Sequence, residues 1–156
     1  MPVRPKSSYG KTRSVQKIES VRRHRHSGST RILIIEDDAD TIAILSMFFR
    51  KEGYEIDIAG DGEEGLAKLK QNHHDLVLSD VMMPKMDGFR FCELVRSDPA
   101  LKMTPIVLVT AKSDPRDKIV GLEKGADDYL VKPYNLVELR VRVASMLKLK
   151  KLRMEL

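Results

Sequence analysis

The chain has 156 residues, a net charge of +5 and one cysteine, Cys92, and its length suits one folded domain with some surplus. One cysteine excludes an internal disulfide and a thiolate zinc site. The sequence also has no apolar signal segment and no run of the roughly 20 apolar residues that span a bilayer, so we expect a cytoplasmic protein without a membrane partner.

The positive charge is concentrated in the first residues of the chain. Residues 1–30 carry eight Lys or Arg against one acid, Glu19, whereas residues 31–156 carry 20 against 22 acids. The first segment has too few apolar residues to build a core. The sequence therefore predicts a disordered basic tail over residues 1–29 and a folded domain over residues 30–152. The basic cluster at residues 22–25 could contact nucleic-acid phosphates, but we favour the simpler interpretation of a solvated tail.

Short apolar runs alternate with amphipathic segments from residue 31 onward. The predicted strands are 32–35, 55–59, 76–79, 106–109 and 129–131, and the predicted helices are 39–52, 62–72, 88–97, 115–124 and 135–151. Strict alternation of this kind indicates a parallel sheet with helices on both faces. The predicted fold class is α/β, a doubly wound five-stranded parallel sheet with five helices.

Acidic residues follow the first and the third predicted strands. Glu36, Asp37 and Asp38 come directly after the first strand, and Asp80 comes after the third. Ligands of doubly wound folds bind beyond the carboxyl ends of the strands, so these carboxylates should converge. Carboxylates this close repel one another and need a cation or a proton. Oxygen ligands favour Mg2+, although Asp38 and Asp40 have the simpler role of starting the first helix.

The fourth and fifth predicted strands add a hydroxyl and an ammonium group. Thr110, followed by Ala111, ends the fourth strand, and Lys132, followed by Pro133, ends the fifth. An aspartate beside a metal is placed to attack phosphorus, and Lys and Thr side chains can bind the phosphoryl oxygens. Each residue alone is commonplace at a strand end, but together with Asp80 they predict a phosphoryl-transfer site.

Two histidines, His73 and His74, precede the third predicted strand. They therefore belong to the edge of the sheet opposite the acids. We predict that both are surface residues and not metal ligands.

Four motifs at the strand ends resemble the receiver domain of two-component response regulators. They are ILIIEDD from Ile32, LVLSDVMMPKMDG from Leu76, VLVTA from Val107 and GADDYLVKP from Gly125. The resemblance covers nearly all of residues 31–150 and implies a flavodoxin-like sheet of strand order 2-1-3-4-5. It also implies a phosphoprotein of signal transduction that receives its phosphoryl group from a sensor histidine kinase or a histidine phosphotransfer protein and signals to a downstream protein target.

The resemblance assigns roles to individual residues. Asp80 falls on the phosphoryl acceptor, which becomes a 4-aspartylphosphate. The metal site for Mg2+ comprises Glu36, Asp37, Asp80 and the backbone carbonyl of Met82, with Asp37 the closer of the acidic pair. The phosphoryl-binding residues are Thr110, Ala111 and Lys132, the switch residues are Thr110 and Tyr129, and the Lys132–Pro133 bond should be cis. Tyr129 has the simpler alternative of an ordinary half-buried strand residue. The family is not enzymatic beyond Mg2+-dependent self-phosphorylation and autodephosphorylation.

Four charged residues match ion pairs between subunits in receivers of winged-helix transcription regulators. The positions of Lys118 and Glu138 match one such pair, and the positions of Asp128 and Arg142 match another. We therefore expect a phosphorylation-dependent homodimer through the fourth helix, fifth strand and fifth helix. The alternative is that these are solvated helix charges.

Three other functions remain alternatives. A haloacid-dehalogenase-type phosphatase also uses an aspartate nucleophile with Mg2+, but it places a DxDx[TV] motif after the first strand, where this chain has Glu36 to Ala39. A flavodoxin-like electron carrier needs a phosphate-binding loop where this chain has three acids. The residues after the predicted fifth helix are too few for an effector domain, so we expect a stand-alone receiver. A truncated DNA-binding response regulator is the alternative.

Overall fold

The computed structural model describes residues 29–155, so the tail predicted over residues 1–29 lies outside the described residues apart from Ser29. Strands and helices alternate along the described chain. The strands are β1 (Arg31–Ile35), β2 (Glu55–Ala59), β3 (Leu76–Ser79), β4 (Ile106–Thr110) and β5 (Asp128–Val131). The helices are α1 (Ala39–Lys51), α2 (Gly62–Gln71), α3 (Gly88–Ser97), α4 (Pro115–Glu123) and α5 (Leu136–Glu155).

These bounds confirm the predicted elements to within a residue, except at the end of α5. That helix continues to Glu155, beyond the predicted end at residue 151. The added residues include Leu, Arg, Met and Glu, which are good helix formers, and no Gly or Pro ends the helix sooner.

The five strands form one parallel sheet in the order β2-β1-β3-β4-β5, as predicted. β1 and β3 are neighbours, and Ile35 at the end of β1 pairs with Ser79 at the end of β3. The residues that follow both strands therefore emerge side by side. This register brings the acids after Ile35 close to Asp80.

Side chains alternate between the two faces of the sheet and build two cores. Leu33 of β1 and Leu108 of β4 pack on one face with Phe91 of α3. Ile34 and Val107, their sequence neighbours, pack on the opposite face with α1 and α5. Both faces of every central strand are thus buried, which explains the uninterrupted apolar runs in the sequence.

Aspartates cap the amino ends of four helices. Their side chains accept hydrogen bonds from backbone amides of the first turn; the caps are Asp38, Asp61, Asp87 and Asp114. Asp38 bonds to the amide of Thr41 and so has the simple role in starting α1 that the sequence allowed.

Arg96, near the end of α3, joins two loops at the amino end of the sheet. Its guanidinium donates to the carbonyls of Lys102 and Thr104 in the loop before β4, and to the carbonyl of Gly125 and the carboxylate of Asp127 before β5. The side chain therefore fixes the starts of β4 and β5 relative to α3.

The prediction for the two histidines is wrong for His74. His74 is only 3% exposed, and its Nε2 lies 2.7 Å from Oδ2 of Asp57. The ring is buried because Asp57, on β2, supplies a partner that the local sequence does not reveal. His73 is more exposed and lies 3.0 Å from Asp75. No helix within residues 29–155 combines the length and the apolar character needed to cross a bilayer.

Candidate functional site

Glu36 and Asp80 lie together at the carboxyl ends of β1 and β3. The amide of Glu36 donates to the carbonyl of Ala59 on β2, and the amide of Asp80 donates to the carbonyl of Ile35 on β1. Both residues are largely buried, with exposures of 4% and 9%. The sheet therefore fixes two carboxylates in an environment where their charges are poorly solvated.

Lys132 places its ammonium group between these carboxylates. Its Nζ lies 3.1 Å from Oδ2 of Asp80 and 3.3 Å from Oε2 of Glu36. Burial lowers the pKa of Lys132, but the hydrogen bonds and charges of Asp80 and Glu36 outweigh burial and raise it overall. Burial also raises the pKa of Glu36, while the amide of Asp38 and the charge of Lys132 oppose that rise. The ammonium supplies the cation that converging carboxylates require.

Thr110 lies beside Lys132 at the end of β4. The amide of Lys132 donates to the carbonyl of Thr110, and the Thr110 side chain is fully buried. Its Oγ1 accepts a hydrogen bond from the amide of Lys112 at 3.4 Å. Ala111, the next residue, is exposed. The Lys132–Pro133 peptide bond is cis, as predicted.

Asp37 is exposed and shares a shallow cleft beside Asp80 with Met82. The amide of Met82 donates to Oδ1 of Asp80 at 3.1 Å, which holds the turn after β3 against the carboxylate. Within residues 29–155, no three His, Cys, Asp or Glu side chains are grouped closely enough to hold a metal ion by themselves. The donors that are present are oxygens, and Mg2+ commonly uses one or two carboxylates and keeps its waters, so the donor set fits that ion.

Tyr129, on β5, is 3% exposed and so lies deeper than the half-buried alternative. Its hydroxyl donates to the carbonyl of Lys112 at 2.9 Å. Burial raises the pKa of Tyr129 to about 12, and the charges of Asp117 and Asp80 add to that rise. Lys112, which the sequence motifs do not single out, contacts both Thr110 and Tyr129 through its backbone. Its position two residues after Thr110 is the signal that could have identified it.

The four residues assigned to a dimer lie on α4, β5 and α5. Arg142 pairs within its own chain, at 2.9 Å from Asp128 and 3.1 Å from Glu138. Lys118 is exposed on α4. Arg142, Asp128 and Glu138 thus lie together, and Arg142 already has intramolecular partners there.

The family model of the response regulator receiver domain matches residues 32–144. The chain belongs to this family. Response regulator ArlR of Staphylococcus saprophyticus is 42% identical over 119 residues, which are 76% of this chain and 53% of that protein. The chain therefore spans about half the length of the curated relatives it matches.

Solved structures agree with this family and fold. A putative response regulator from Chloroflexus aurantiacus is 39% identical with a TM-score of 0.74, covering 77% of this chain and 98% of that one. The receiver domain of a sensor histidine kinase of Pseudomonas aeruginosa is 25% identical with a TM-score of 0.72, covering 78% of this chain and 99% of that one. That structure has a magnesium ion coordinated in its active-site cleft. The receiver domain is a component of two-component systems, and its fold is the flavodoxin-like sheet predicted from the sequence.

Proposed function

We propose that this receiver domain accepts a phosphoryl group on Asp80 from a phosphohistidine of a sensor kinase or phosphotransfer protein. The observation that carries the proposal is the contact of Lys132 with both Asp80 and Glu36 at the carboxyl edge of the sheet. A cation at this position neutralises charge on the acceptor and on the incoming phosphoryl oxygens.

The transfer needs no general base, because a carboxylate is already a nucleophile. A carboxylate oxygen of Asp80 forms the new O–P bond while the N–P bond of the phosphohistidine breaks, and the leaving imidazole keeps the electron pair and takes up a proton from water. Lys132 binds a phosphoryl oxygen from one side. The hydroxyl of Thr110 donates to another, and the exposed position of Ala111 leaves its backbone amide accessible.

Glu36, Asp37, Asp80 and the backbone carbonyl of Met82 would hold Mg2+. The bound ion supplies further neutralisation of the phosphoryl oxygens. Asp37 is exposed and lies in the same cleft as Met82, so it is the carboxylate most accessible to a hydrated ion. The related domain from Pseudomonas aeruginosa, which has magnesium in its cleft, supports this assignment.

Phosphorylation is tested with acetyl phosphate and Mg2+, followed by intact mass measurement. Wild type should gain one phosphoryl adduct that hydroxylamine removes, as expected for an acyl phosphate, and Asp80→Asn should gain none. Asp40→Asn, an exposed acid in the first turn of α1, is the matched control and should behave as wild type. An adduct that persists in Asp80→Asn would refute the assignment. Multiple turnover of a small phosphomonoester would favour the phosphatase alternative.

We further propose that the signal leaves through the face formed by α4, β5 and α5, in the cytoplasm, by a phosphorylation-dependent homodimer or by a downstream protein. Thr110 and Tyr129 would connect the two sites. Both bond to Lys112, and Tyr129 belongs to the strand that carries Asp128. That the protein is a stand-alone receiver and that it is part of a DNA-binding response regulator are two separate hypotheses.

A further inference from the structure

A cavity of about 490 Å3 lies at the amino end of the sheet. We call it the amino-end cavity; it is formed by the end of α2, residues 72–74, residues 98–104 and the last turns of α5. His74 precedes β3 whereas Asp80 follows it, and six residues at the rise of a strand separate them by roughly 20 Å. The cavity is therefore distinct from the phosphorylation site.

The charged side chains around the amino-end cavity are mostly positive. Lys70, Lys150 and Arg153 line it together with one carboxylate, Asp98. Within the part of the chain that the structure describes, neither Lys70 nor Arg153 has an ion pair with a carboxylate. The cavity can therefore offer these two cations to a ligand without breaking an existing pair.

Lys150 is the most enclosed of the three cations. Its side chain is 15% exposed, and its Nζ lies 3.9 Å from a carboxylate oxygen of Asp75, at the outer limit of an ion pair, and donates to the backbone carbonyl of Asp75 at 3.4 Å. Burial lowers the pKa of Lys150, and the charge of Asp75 opposes that effect. An anion in the cavity would favour the charged ammonium and compensate its burial.

His74 lines the same cavity and has one polar atom without a partner within residues 29–155. Its side chain is fully buried, Nε2 bonds to Asp57, and Nδ1 has no hydrogen-bond partner among the described residues. Buried polar atoms nearly always have a partner, so this nitrogen is an exception. The atom is enclosed by protein, so a ligand in the cavity meets the cations that line it and not this nitrogen.

Apolar side chains complete the lining, among them Leu69, Leu101, Met103 and Met154. A cavity of this volume with an apolar lining and a few polar groups is typical of small-molecule sites. We propose that the amino-end cavity binds a small organic anion, a carboxylate or phosphate attached to an apolar body.

The test uses the fluorescent anion 8-anilinonaphthalene-1-sulfonate and its neutral analogue N-phenyl-1-naphthylamine. The anion should bind wild type saturably at one site, and the double variant Lys150→Gln, Arg153→Gln should raise its Kd by about tenfold. Lys148→Gln is the matched control, since that exposed lysine lies on the same helix but does not line the cavity. The control should leave the Kd within about twofold, and the neutral probe should respond to neither change.

A second variant tests the location without changing charge. Ala100 is exposed and lines the cavity, so Ala100→Trp should obstruct it and weaken the binding of both probes. Thermal unfolding of each variant checks that it is folded, because the anionic probe also binds partly unfolded chains. Equal Kd values for wild type, the double variant and Ala100→Trp would overturn the proposal. So would a loss of affinity in Lys148→Gln as large as that in the double variant.

Discussion

Gly88 lies against the backbone of Asp80. A Cβ at position 88 would be 2.5 Å from the carbonyl oxygen of Asp80 and 2.9 Å from Cα of Val81. The amide of Gly88 also donates to the carbonyl of Val81, which holds the start of α3 in this position. The residue that begins α3 thus restricts where the acceptor carboxylate can lie.

We expect Gly88→Ala to displace the Asp80 backbone. The variant should lose about 1–3 kcal/mol of stability, as overpacking typically costs, and its phosphorylation by acetyl phosphate should be slower. Chemical denaturation and intact mass measure the two effects. Gly60→Ala is the control, because the nearest atom to its Cβ, 3.5 Å away, belongs to the flexible side chain of Glu64. Unchanged phosphorylation in Gly88→Ala would show that the backbone of Asp80 tolerates the shift.

Lys132→Met should destabilise the domain because it leaves two carboxylates close together without a cation. We expect a loss of about 1–3 kcal/mol at pH 7 from the lost charged hydrogen bonds. The control Lys124→Met removes a more exposed ammonium, 3.6 Å from Glu93, and should cost under about 0.5 kcal/mol. Equal losses in the two variants would contradict the role assigned to Lys132.

The loss in Lys132→Met should also depend on pH. The raised pKa of Glu36, caused first by burial, means that its ionisation disfavours the folded state. The penalty appears as the pH rises above the usual value of 4.5 and is relieved as the pH falls. The raised pKa of Lys132 gives a stabilisation that is present below 10.5 and is lost as the pH rises through the folded value. The variant should therefore be less impaired near pH 4.5 than at pH 7. Denaturation curves at both pH values test this, and a loss that grew on acidification would have the wrong sign.

Asp37→Asn should weaken Mg2+ binding while leaving the fold intact. Mg2+ at ten times its Kd should stabilise wild type by about 1.4 kcal/mol, and most of that gain should vanish in the variant. Without Mg2+ the variant should melt at or above the wild-type temperature, because it removes one of several repelling carboxylates. The measurement is the melting temperature with and without Mg2+, with Asp40→Asn as control. A full Mg2+ response in Asp37→Asn would exclude Asp37 as a ligand.

Cys92 should be inert toward thiol reagents in the folded protein. It is fully buried on α3, and burial raises its pKa to about 12, so the reactive thiolate is scarce at pH 8. A disulfide reagent such as dithionitrobenzoate should react slowly in buffer and stoichiometrically in guanidinium chloride. Cys92 is the only cysteine of the chain, so the signal needs no correction for other thiols. Fast labelling in buffer would mean that α3 opens readily.

The dimer proposal predicts a change in sedimentation with beryllofluoride, a phosphoryl mimic. Wild type should become a dimer, and Arg142→Glu should stay a monomer because it would repel Asp128 of its own chain and of the partner. The control is Arg140→Glu, since Arg140 pairs with Glu52, the residue that follows α1, and not with a residue of this face. A monomer at tens of micromolar under both conditions, or a dimer indifferent to Arg142→Glu, would exclude this interface.

The sequence was sufficient for the fold and for the main contacts of the site. Apolar runs of four or five residues gave the strands, and their order placed Glu36, Asp80, Thr110 and Lys132 at one edge, where the structure has them. These predictions were correct because the residues directly follow strands. The parallel register brings the strand ends together whatever the conformation of the loops.

The sequence was insufficient where a partner comes from a distant element. His74 is buried because Asp57 on β2 bonds to it, and the two are separated by 17 positions in the chain. Arg142 bonds to Asp128 of its own chain, whereas the alignment had assigned that pair to two subunits. The distance between such side chains cannot be predicted from local pattern or spacing, since that distance depends on how the helices and strands pack.

The bonds of Arg96 have a mechanical consequence for β5. They hold the segment that leads into this strand at one end, through Gly125 and Asp127, whereas Tyr129 lies further along the strand toward Lys132. A strand fastened at its start and contacted just beyond its other end, where Lys132 meets Asp80 and Glu36, behaves as a lever with its fulcrum beside Arg96. Displacements that begin at the carboxyl edge should then be largest at Lys132, smaller at Tyr129, and absent at Asp127.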